Sequence, residues 1–276
     1  MKQSTDISVV VPVKNEAGNI ESLIQEIDYS LRNFNYEIIY INDGSKDNTE
    51  KELKLILKNN KRLRVISHEE SQGQSAALRS GVIASQSSII ATLDGDGQND
   101  PSDLPGMIKL FRNNTNQFLF VGGVRVNRKD GKHRLWASSI AKYSRLLLLK
   151  DNHPDSGCGI KVFHKDLFLR LPYFDHMHRF LSALAHREGA KILEFNVKHR
   201  ERQIGVSNYT NLGRLIVNLF RKNKTMPVYD DLEKNLAESL SGKEILIIGA
   251  GGATQGILKP ILDKNPEKIL LANRTS

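Results

Sequence analysis

A single cysteine, Cys158, in a chain of 276 residues leaves no disulfide to be made within it, which fits a reducing compartment. No stretch approaches the roughly 18 apolar residues expected of a spanning helix. The first strand-like run starts within a few residues of Met1, with no apolar signal segment before it. Export and membrane spanning are therefore not expected. Finger spacings, aromatic-rich RNA motifs and a recognition helix are also missing, so the formal net charge of +9 does not read as nucleic-acid binding. That charge is unevenly spread. Residues 1–110 carry 12 Lys and Arg against 16 Asp and Glu, residues 111–220 carry 19 against 8, and the rest carries 9 against 7. The length supports a sizeable core, in one large domain or two smaller ones.

The run LDGDGQNDP, Leu93 to Pro101, follows an apolar stretch, SIIATL, that reads as a buried strand. A strand ending at Leu93 delivers Asp94 and Asp96 to the carboxyl edge of a sheet, where open α/β folds bind ligands. Two carboxylates one residue apart, with Gln98 beyond, suit Mg²⁺ or Mn²⁺, hard cations that keep coordination positions for substrate phosphates. The glycines between them let a phosphate approach the backbone. Asp and Gly are also ordinary turn residues, and an acidic turn is the competing reading of this run taken alone.

Upstream segments repeat the plan. ISVVVPVKNE, stopped by Pro12, leads into GNIESLIQEIDYSL, whose apolar residues fall at helical spacing. EIIYINDGSKDNT ends its run at Asn42 and Asp43, with Ser45 or Asp47 placed to cap the next helix. RVIS with QGQSAALRSGVIAS forms a third unit, and SIIATLD opens a fourth. Strands alternating with helices predict a mostly parallel sheet with right-handed crossovers. Asn15, Glu16, Asp43, Asp94 and Asp96 should then line one cleft.

VVVPVKNE, INDGSKDNT, GQSAAL and LDGDGQNDP, in that order and spacing, resemble an inverting family-2 glycosyltransferase of the GT-A fold. DSGCGIKVF, MHRF and HRERQIGVSNY are similar to the branch containing dolichyl-phosphate mannosyltransferase and bacterial polyprenyl-phosphate sugar transferases. The resemblance covers roughly residues 5–220. It implies an α/β fold with a Rossmann-like, mostly parallel sheet flanked by helices. It further implies metal-dependent transfer of a sugar from a UDP- or GDP-sugar to a polyprenyl phosphate. On the matching positions, Pro12, Asn15, Glu16, Asp43, Gln74, Asp94, Arg125 and Arg128 would bind the nucleotide sugar, with Glu16 and Asp43 at the nucleoside. Asp94, Asp96 and Gln98 would hold the metal. Asp155 would lie beside the acceptor, orienting it or taking its proton, and Arg134 and Arg202 would complete the catalytic set. His178, Arg179, Arg200, Ser207 and Tyr209 would meet the acceptor. Ser71 departs from the pattern, since relatives often have Asn there.

Several of these residues also carry readings of their own. Arg125, Arg128 and Arg134 can grip phosphate through paired hydrogen bonds, whereas Lys129 and Lys132 suit a solvated loop. His176 and His178 are two apart without the spacing of a helical zinc pair, which favours structural histidines. Cys158 between glycines reads as a small packed residue. TNLGRLIVNLF puts Leu212, Leu215, Ile216 and Leu219 on one stripe that could lie in a membrane interface or dock on the catalytic domain. The acidic first part suits metal and nucleotide, and the basic middle suits an acceptor phosphate and an anionic membrane surface. The expected place is the cytoplasm, peripheral on the cytoplasmic face of a membrane, with a homo-oligomer or an integral-membrane partner compatible with it.

Past residue 220 the chain changes character. Residues 221–241 read as a polar linker and helix, and residues 242–276 as the strand EILIIG, a glycine turn and the strand KILLANRT. This is a partial β-α-β dinucleotide-binding-like unit. Its GAGGA and NRT resemble the NADP-binding half of shikimate dehydrogenase, with Gly249, Gly251, Gly252, Asn273, Arg274 and Thr275 as vestigial contacts. Thr254 stands where the dinucleotide fingerprint has Gly or Ala, and no counterpart of that family's substrate domain follows. The expectation is a truncated module with weak NADP binding and no dehydrogenase activity. The readings that compete with polyprenyl-phosphate transfer are a glycosyltransferase acting on a non-lipid hydroxyl, an NADP-dependent dehydrogenase fragment, and a noncatalytic membrane-binding adaptor.

Overall fold

The computed structural model describes residues 5–114, 118–126, 153–201, 244–248 and 267–272. Along the chain these form β1 (Ile7–Val13), α1 (Ile20–Ser30), β2 (Tyr36–Asp43), α2 (Thr49–Leu57), β3 (Leu63–His68), α3 (Gln74–Ala84) and β4 (Ile89–Thr92). A 3₁₀ turn (Pro101–Asp103), α4 (Leu104–Arg112), β5 (Leu119–Arg125), β6 (Lys161–His164) and α5 (Lys165–Arg170) follow. A second 3₁₀ turn (Met177–Arg179), α6 (Leu181–Arg187) and β7 (Lys191–Val197) complete a seven-stranded sheet in the order β3-β2-β1-β4-β6-β5-β7. β8 (Glu244–Ile248) and β9 (Lys268–Ala272) pair separately.

The foreseen mostly parallel sheet is present, with one exception. β6 runs antiparallel to both β4 and β5, while β5 and β7 are parallel to each other. Because β6 points the other way, it begins where the others end. The carboxyl edge therefore receives Val13, Asp43, His68, Thr92 and Arg125 from strand ends and Lys161 from a strand start. Hydrophobic periodicity marks a strand but carries no direction, so this reversal was not legible in it.

Alternation assigns the two faces. Val9, Val11, Ile38 and Tyr40 pack with Leu23 and Ile27 of α1 and Met107 and Phe111 of α4. Val10, Ile39 and Ile41 point the other way, toward Ala77, Leu78 and Val82 of α3 and Phe168 of α5. A sheet covered on both faces needs strands apolar at every position, and β1 and β2 are buried almost throughout. Each fully buried aliphatic side chain contributes about 1.5–3 kcal/mol.

Two local expectations shift. Pro12 does not stop β1, which continues to Val13. Val10 accepts from Leu93 N–H at 3.2 Å on the β4 side, so Pro12, two residues on, faces the side where β4 has already ended and its missing N–H breaks no ladder bond. At α2, Asp47 does accept the Thr49 N–H at 3.0 Å, but the Ser45 hydroxyl accepts the N–H of Asn15 at 2.9 Å and ties the β1 and β2 loops together.

Two compact units divide the chain, Met1–Gly205 and Val206–Ser276. In the second, β8 and β9 pair in parallel from Glu244↔Lys268 to Ile248↔Ala272. The apolar runs read as strands in the tail thus do pair. The linker, the 210–220 stripe, Gly249, Gly251, Gly252, Asn273, Arg274 and Thr275 lie outside the described residues, as do Arg128, Arg134, Arg202, Ser207 and Tyr209.

Gly81 is where α3 comes closest to the sheet. A Cβ there would meet Val10 and lie 2.6 Å from Ile41 Cδ1. Gly81→Ala should destabilise unit 1 by about 1–3 kcal/mol through overpacking. A urea melt with an unchanged midpoint would contradict this packing.

Candidate active site

The carboxyl edge is built around the turn after β4. Leu93 is buried, and the Asp94 N–H is held by Asn99 Oδ1 at 3.0 Å, which folds residues 94–99 back on themselves. Asp96 Oδ1 accepts the Gln98 N–H at 3.1 Å. On one side, Gln74 Nε2 donates to Asp94 Oδ1 at 3.1 Å from the first turn of α3. On the other, Gly159 lies so close to Asp94 that a Cβ would collide with the carboxylate. Only glycine lets the segment entering β6 pass there.

Asp94 titrates abnormally. Burial disfavours its charge, Asp96 repels it, and Lys161, Arg125 and Gln74 only partly compensate, leaving its carboxyl raised to about 6. Lys161 is itself buried, donates to the Cys158 carbonyl, and is pushed down by burial against the pull of Cys158, Asp94 and Asp155. Sequence reasoning missed Lys161. The available signal was a lysine inside IKVF, where a charge must be buried and therefore paired.

Beside it lies a two-toothed ion pair. Arg125 donates through Nε to Asp155 Oδ2 at 2.7 Å and through Nη2 to Oδ1 at 2.7 Å, and its backbone N–H adds a third bond at 3.2 Å. Burial disfavours the guanidinium charge, but the Asp155 bonds more than offset this, so Arg125 stays protonated. Asp155 is thus placed to fix Arg125 at the end of β5. Cys158 is buried in the core with its thiol pushed up by that burial, which suits packing rather than nucleophilic chemistry.

The other expected residues fall into two groups. Asn15 adopts a left-handed backbone (φ 55°) and accepts the Lys46 N–H through Oδ1 at 2.8 Å. Glu16 is buried, with Asn19 Nδ2 donating to its carboxylate at 3.0 Å and its own N–H given to Thr49 Oγ1. Both brace the loops after β1 and β2. Asp43 is buried at the end of β2, where it accepts from the β3–α3 turn. His178 is joined through Nδ1 to Ser75 Oγ at 2.8 Å, and burial with neighbouring Arg179, Lys161 and His176 pushes it down to about 3, so it is neutral. Arg179 is exposed. Arg200 brings its backbone to the acidic turn, donating its N–H to Gln98 O at 2.9 Å. Its guanidinium, expected at the acceptor, pairs with Glu26 at 2.6 Å and Asp100 at 2.8 Å. Spacing cannot show which way a long side chain turns.

Among the described residues no three His, Cys, Asp or Glu side chains form a candidate metal cluster. Asp94 and Asp96 do fit a hard cation. They are oxygen donors close enough for the Asp96 charge to raise the Asp94 carboxyl, after burial, and Gly159 adds no side chain beside Asp94.

Comparison with known proteins bears on the family and the fold. The profile of glycosyl transferase family 2 matches residues 8–171. Dodecaprenyl-phosphate galacturonate synthase of Rhizobium johnstonii is 32% identical over 213 residues, covering 75% of this chain and 62% of the relative. Undecaprenyl-phosphate 4-deoxy-4-formamido-L-arabinose transferase of Yersinia pestis is 29% identical over 214 residues, 76% of this chain and 64% of that protein. The chain thus spans less than two thirds of these relatives. Among solved structures, glucosyl-3-phosphoglycerate synthase from Mycobacterium tuberculosis with Mn²⁺, UDP and glucosyl-3-phosphoglycerate superposes with a TM-score of 0.58 at 19% identity. That match covers 86% of this chain and 83% of the other, a likeness of fold.

With Asp94 raised to about 6, the folded chain takes up a proton as pH falls through 6, while the unfolded chain does so near the ordinary 3.8. Ionised Asp94 therefore opposes folding above pH 6, and its contribution to stability improves as pH falls from 6 toward 4. Cation binding should follow the reverse order. Affinity for Mn²⁺ alone, followed by calorimetry, should hold above pH 6.5 and fall about tenfold per unit below 6. A flat profile between pH 5 and 7 would refute Asp94 as a ligand.

Proposed function

Because the chain belongs to glycosyl transferase family 2, we propose that it moves a sugar, with inversion, from a nucleotide-sugar donor to the phosphate of a polyprenyl lipid. One observation carries this reading. Asp94, Asp96, Gln74 and the Arg125–Asp155 pair converge on a single sheet edge. The acceptor class is taken from the relatives named for transfer to dodecaprenyl and undecaprenyl phosphate.

In this reaction a lipid phosphate oxygen attacks the anomeric carbon. The new C–O bond forms as the bond to the diphosphate breaks, and nucleoside diphosphate leaves. A polyprenyl phosphate is already ionised near neutral pH, so no proton has to be removed. Alignment and charge control remain for the protein. Asp94 and Asp96, with Gln98 beyond, would hold Mg²⁺ or Mn²⁺, which when bound stabilises charge on the departing diphosphate. Arg125, locked by Asp155, supplies a fixed positive charge for phosphate. Gln74 orients Asp94, and Asn15 and Glu16 shape the nucleoside end. Arg128 keeps the donor role, Arg134 and Arg202 the catalytic role, and Ser207 and Tyr209 the acceptor role implied by the family resemblance.

The basic stretch over residues 111–220 favours work at an anionic surface. Among the described residues no helix is long and apolar enough to cross a membrane, which is compatible with peripheral attachment. For the tail, the parallel β8–β9 pair supports a β-α-β unit, with NADP contacts from Gly251, Gly252 and Arg274 too few for hydride transfer.

The test is a panel of UDP- and GDP-sugars with undecaprenyl phosphate and Mg²⁺ or Mn²⁺ on vesicles. Lipid-linked sugar should appear together with nucleoside diphosphate. No product across the panel from folded, vesicle-bound chain would overturn the proposal in favour of an adaptor.

Asp155→Asn should lower kcat on the order of 10–100-fold through misplacement of Arg125. It should also lower stability by about 3 kcal/mol by unbalancing a buried pair. The pH profile of the residual activity should keep its shape. Loss of an acidic limb in the variant would mean that Asp155 takes a proton and that the acceptor is a hydroxyl.

A further inference from the structure

The segment leaving β7 lies back along the acidic turn as a short antiparallel clasp. His199 bridges Asn99, the Arg200 N–H is given to Gln98 O at 2.9 Å, and the Lys198 N–H is given to Asp103 Oδ2 at 2.8 Å. Gln98 Nε2 in turn donates to Arg200 O at 3.4 Å, and with the nitrogen so engaged the amide oxygen is the side-chain atom left for a cation. Asn99, at the middle of the clasp, is the residue whose Oδ1 takes the Asp94 N–H at 3.0 Å. The main chain of residues 198–200 thus backs the turn that presents Asp94 and Asp96.

The Arg200 side chain closes the clasp from outside. Nη2 reaches Asp100 Oδ1 at 2.8 Å and Nη1 reaches Glu26 Oε2 at 2.6 Å, so one guanidinium joins the end of the turn to α1. Asp100 Oδ1 also accepts the Ser102 N–H at 2.9 Å and so starts the 3₁₀ turn over Pro101–Asp103. Burial disfavours the Asp100 charge, but the bonds from Ser102 and Arg200 outweigh it and hold the carboxyl below its ordinary range. A planar fork with separate nitrogens serves two carboxylates in one fixed geometry, which the single nitrogen of a lysine does not. The Arg200 side chain is 36% exposed and that of Glu26 40%, so solvent screens this pair and its weight in overall stability is small. Its effect falls on where the turn sits.

We propose that Arg200 is a positioning residue for the cation site, its guanidinium fixing the Gln98–Asp100 end of the acidic turn against α1 so that Asp94, Asp96 and Gln98 keep one geometry. The role rests on the reading of those three residues as cation ligands of the transferase, and it is additional to the acceptor contact that the family resemblance implies for Arg200.

Arg200→Met keeps an extended side chain and removes both ion pairs. Amide hydrogen exchange on the full, ligand-free chain should accelerate about tenfold over residues 94–100 while β1 and β4 keep their protection. Unchanged exchange over 94–100 would overturn the proposal. So would acceleration that extends equally to β1 and β4, because Arg200 would then support the fold as a whole. In calorimetry with Mn²⁺ alone, Arg200→Met should bind about tenfold more weakly. Combined with Glu26→Gln it should lose less than the product of the two single effects, since both changes break one connection. Wild-type Mn²⁺ affinity in Arg200→Met, or full additivity with Glu26→Gln, would sink the proposal. Should Arg200→Met not fold, Glu26→Gln takes its place. Faster exchange over 94–100 together with weaker Mn²⁺ binding supports the proposal, and a wild-type value in either measurement refutes it. Wild-type chain that takes up no Mn²⁺ would fail the cation reading, while the exchange measurement would still decide whether Arg200 holds the turn.

Discussion

Three carboxylates and two cations share a poorly solvated corner of the sheet. Asp94, Asp96 and Asp155 face Arg125 and Lys161, and the surplus is negative. Charges in such surroundings interact far more strongly than in water, so an unpaired one has to be balanced or neutralised. Arg125 and Asp155 satisfy each other through a bidentate contact. Lys161 faces Asp94 without matching the joint charge of Asp94 and Asp96, and burial first, then the Asp96 charge, raises the Asp94 carboxyl. A divalent cation would supply the missing positive charge. The metal affinity expected of this edge is thus the counterpart of its instability without one.

The reversed strand makes that corner possible. If β6 ran parallel to β4, its first residue would lie at the opposite edge, and Lys161 would be a full strand length from Asp94. Antiparallel pairing sets Lys161 directly across from Thr92, two residues before Asp94. The same reversal brings the segment from Asp155 to Ile160 to the carboxyl edge, and Thr92 Oγ1 anchors it by donating to Gly159 O at 2.7 Å. Gly159 passes so close to the Asp94 carboxylate that no Cβ could be placed between them.

Much of this was legible in the chain. The first four strands and three helices announce themselves because apolar residues recur at intervals of two or three to four, and Asp94 and Asp96 are visible because they follow a strand without interruption. Pairwise events between distant segments are not visible in that way. Nothing in IKVF says that Lys161 lies next to Asp94, nothing in HRER says that the Arg200 guanidinium turns toward Glu26, and nothing in INDG says that Asp43 accepts from the β3–α3 turn. Each depends on partners 25 or more residues away. Family resemblance supplies partners by analogy, and the partners that hold Asp43 and Arg200 within the chain come from the fold.

His178 shows how the charge balance reaches beyond the carboxylates. A histidine beside Lys161 and Arg179 would, if protonated, add a third cation and cancel the negative surplus at Asp94. Burial and those same cations push it down to about 3, so it remains a neutral hydrogen-bonding group over the whole working range. It can then join the 176–179 turn to Ser75 at the start of α3 without changing the charge of the site. The first turn of α3 is consequently held from three directions by groups whose charge state is fixed: ionised Asp43 behind it, neutral His178 beside it, and Gln74 extending to Asp94. Of Asp43, His178 and Asp94, only Asp94 has its group raised to about 6. A cation arriving at this edge is therefore met by Asp94, which Gln74 holds in place from the first turn of α3.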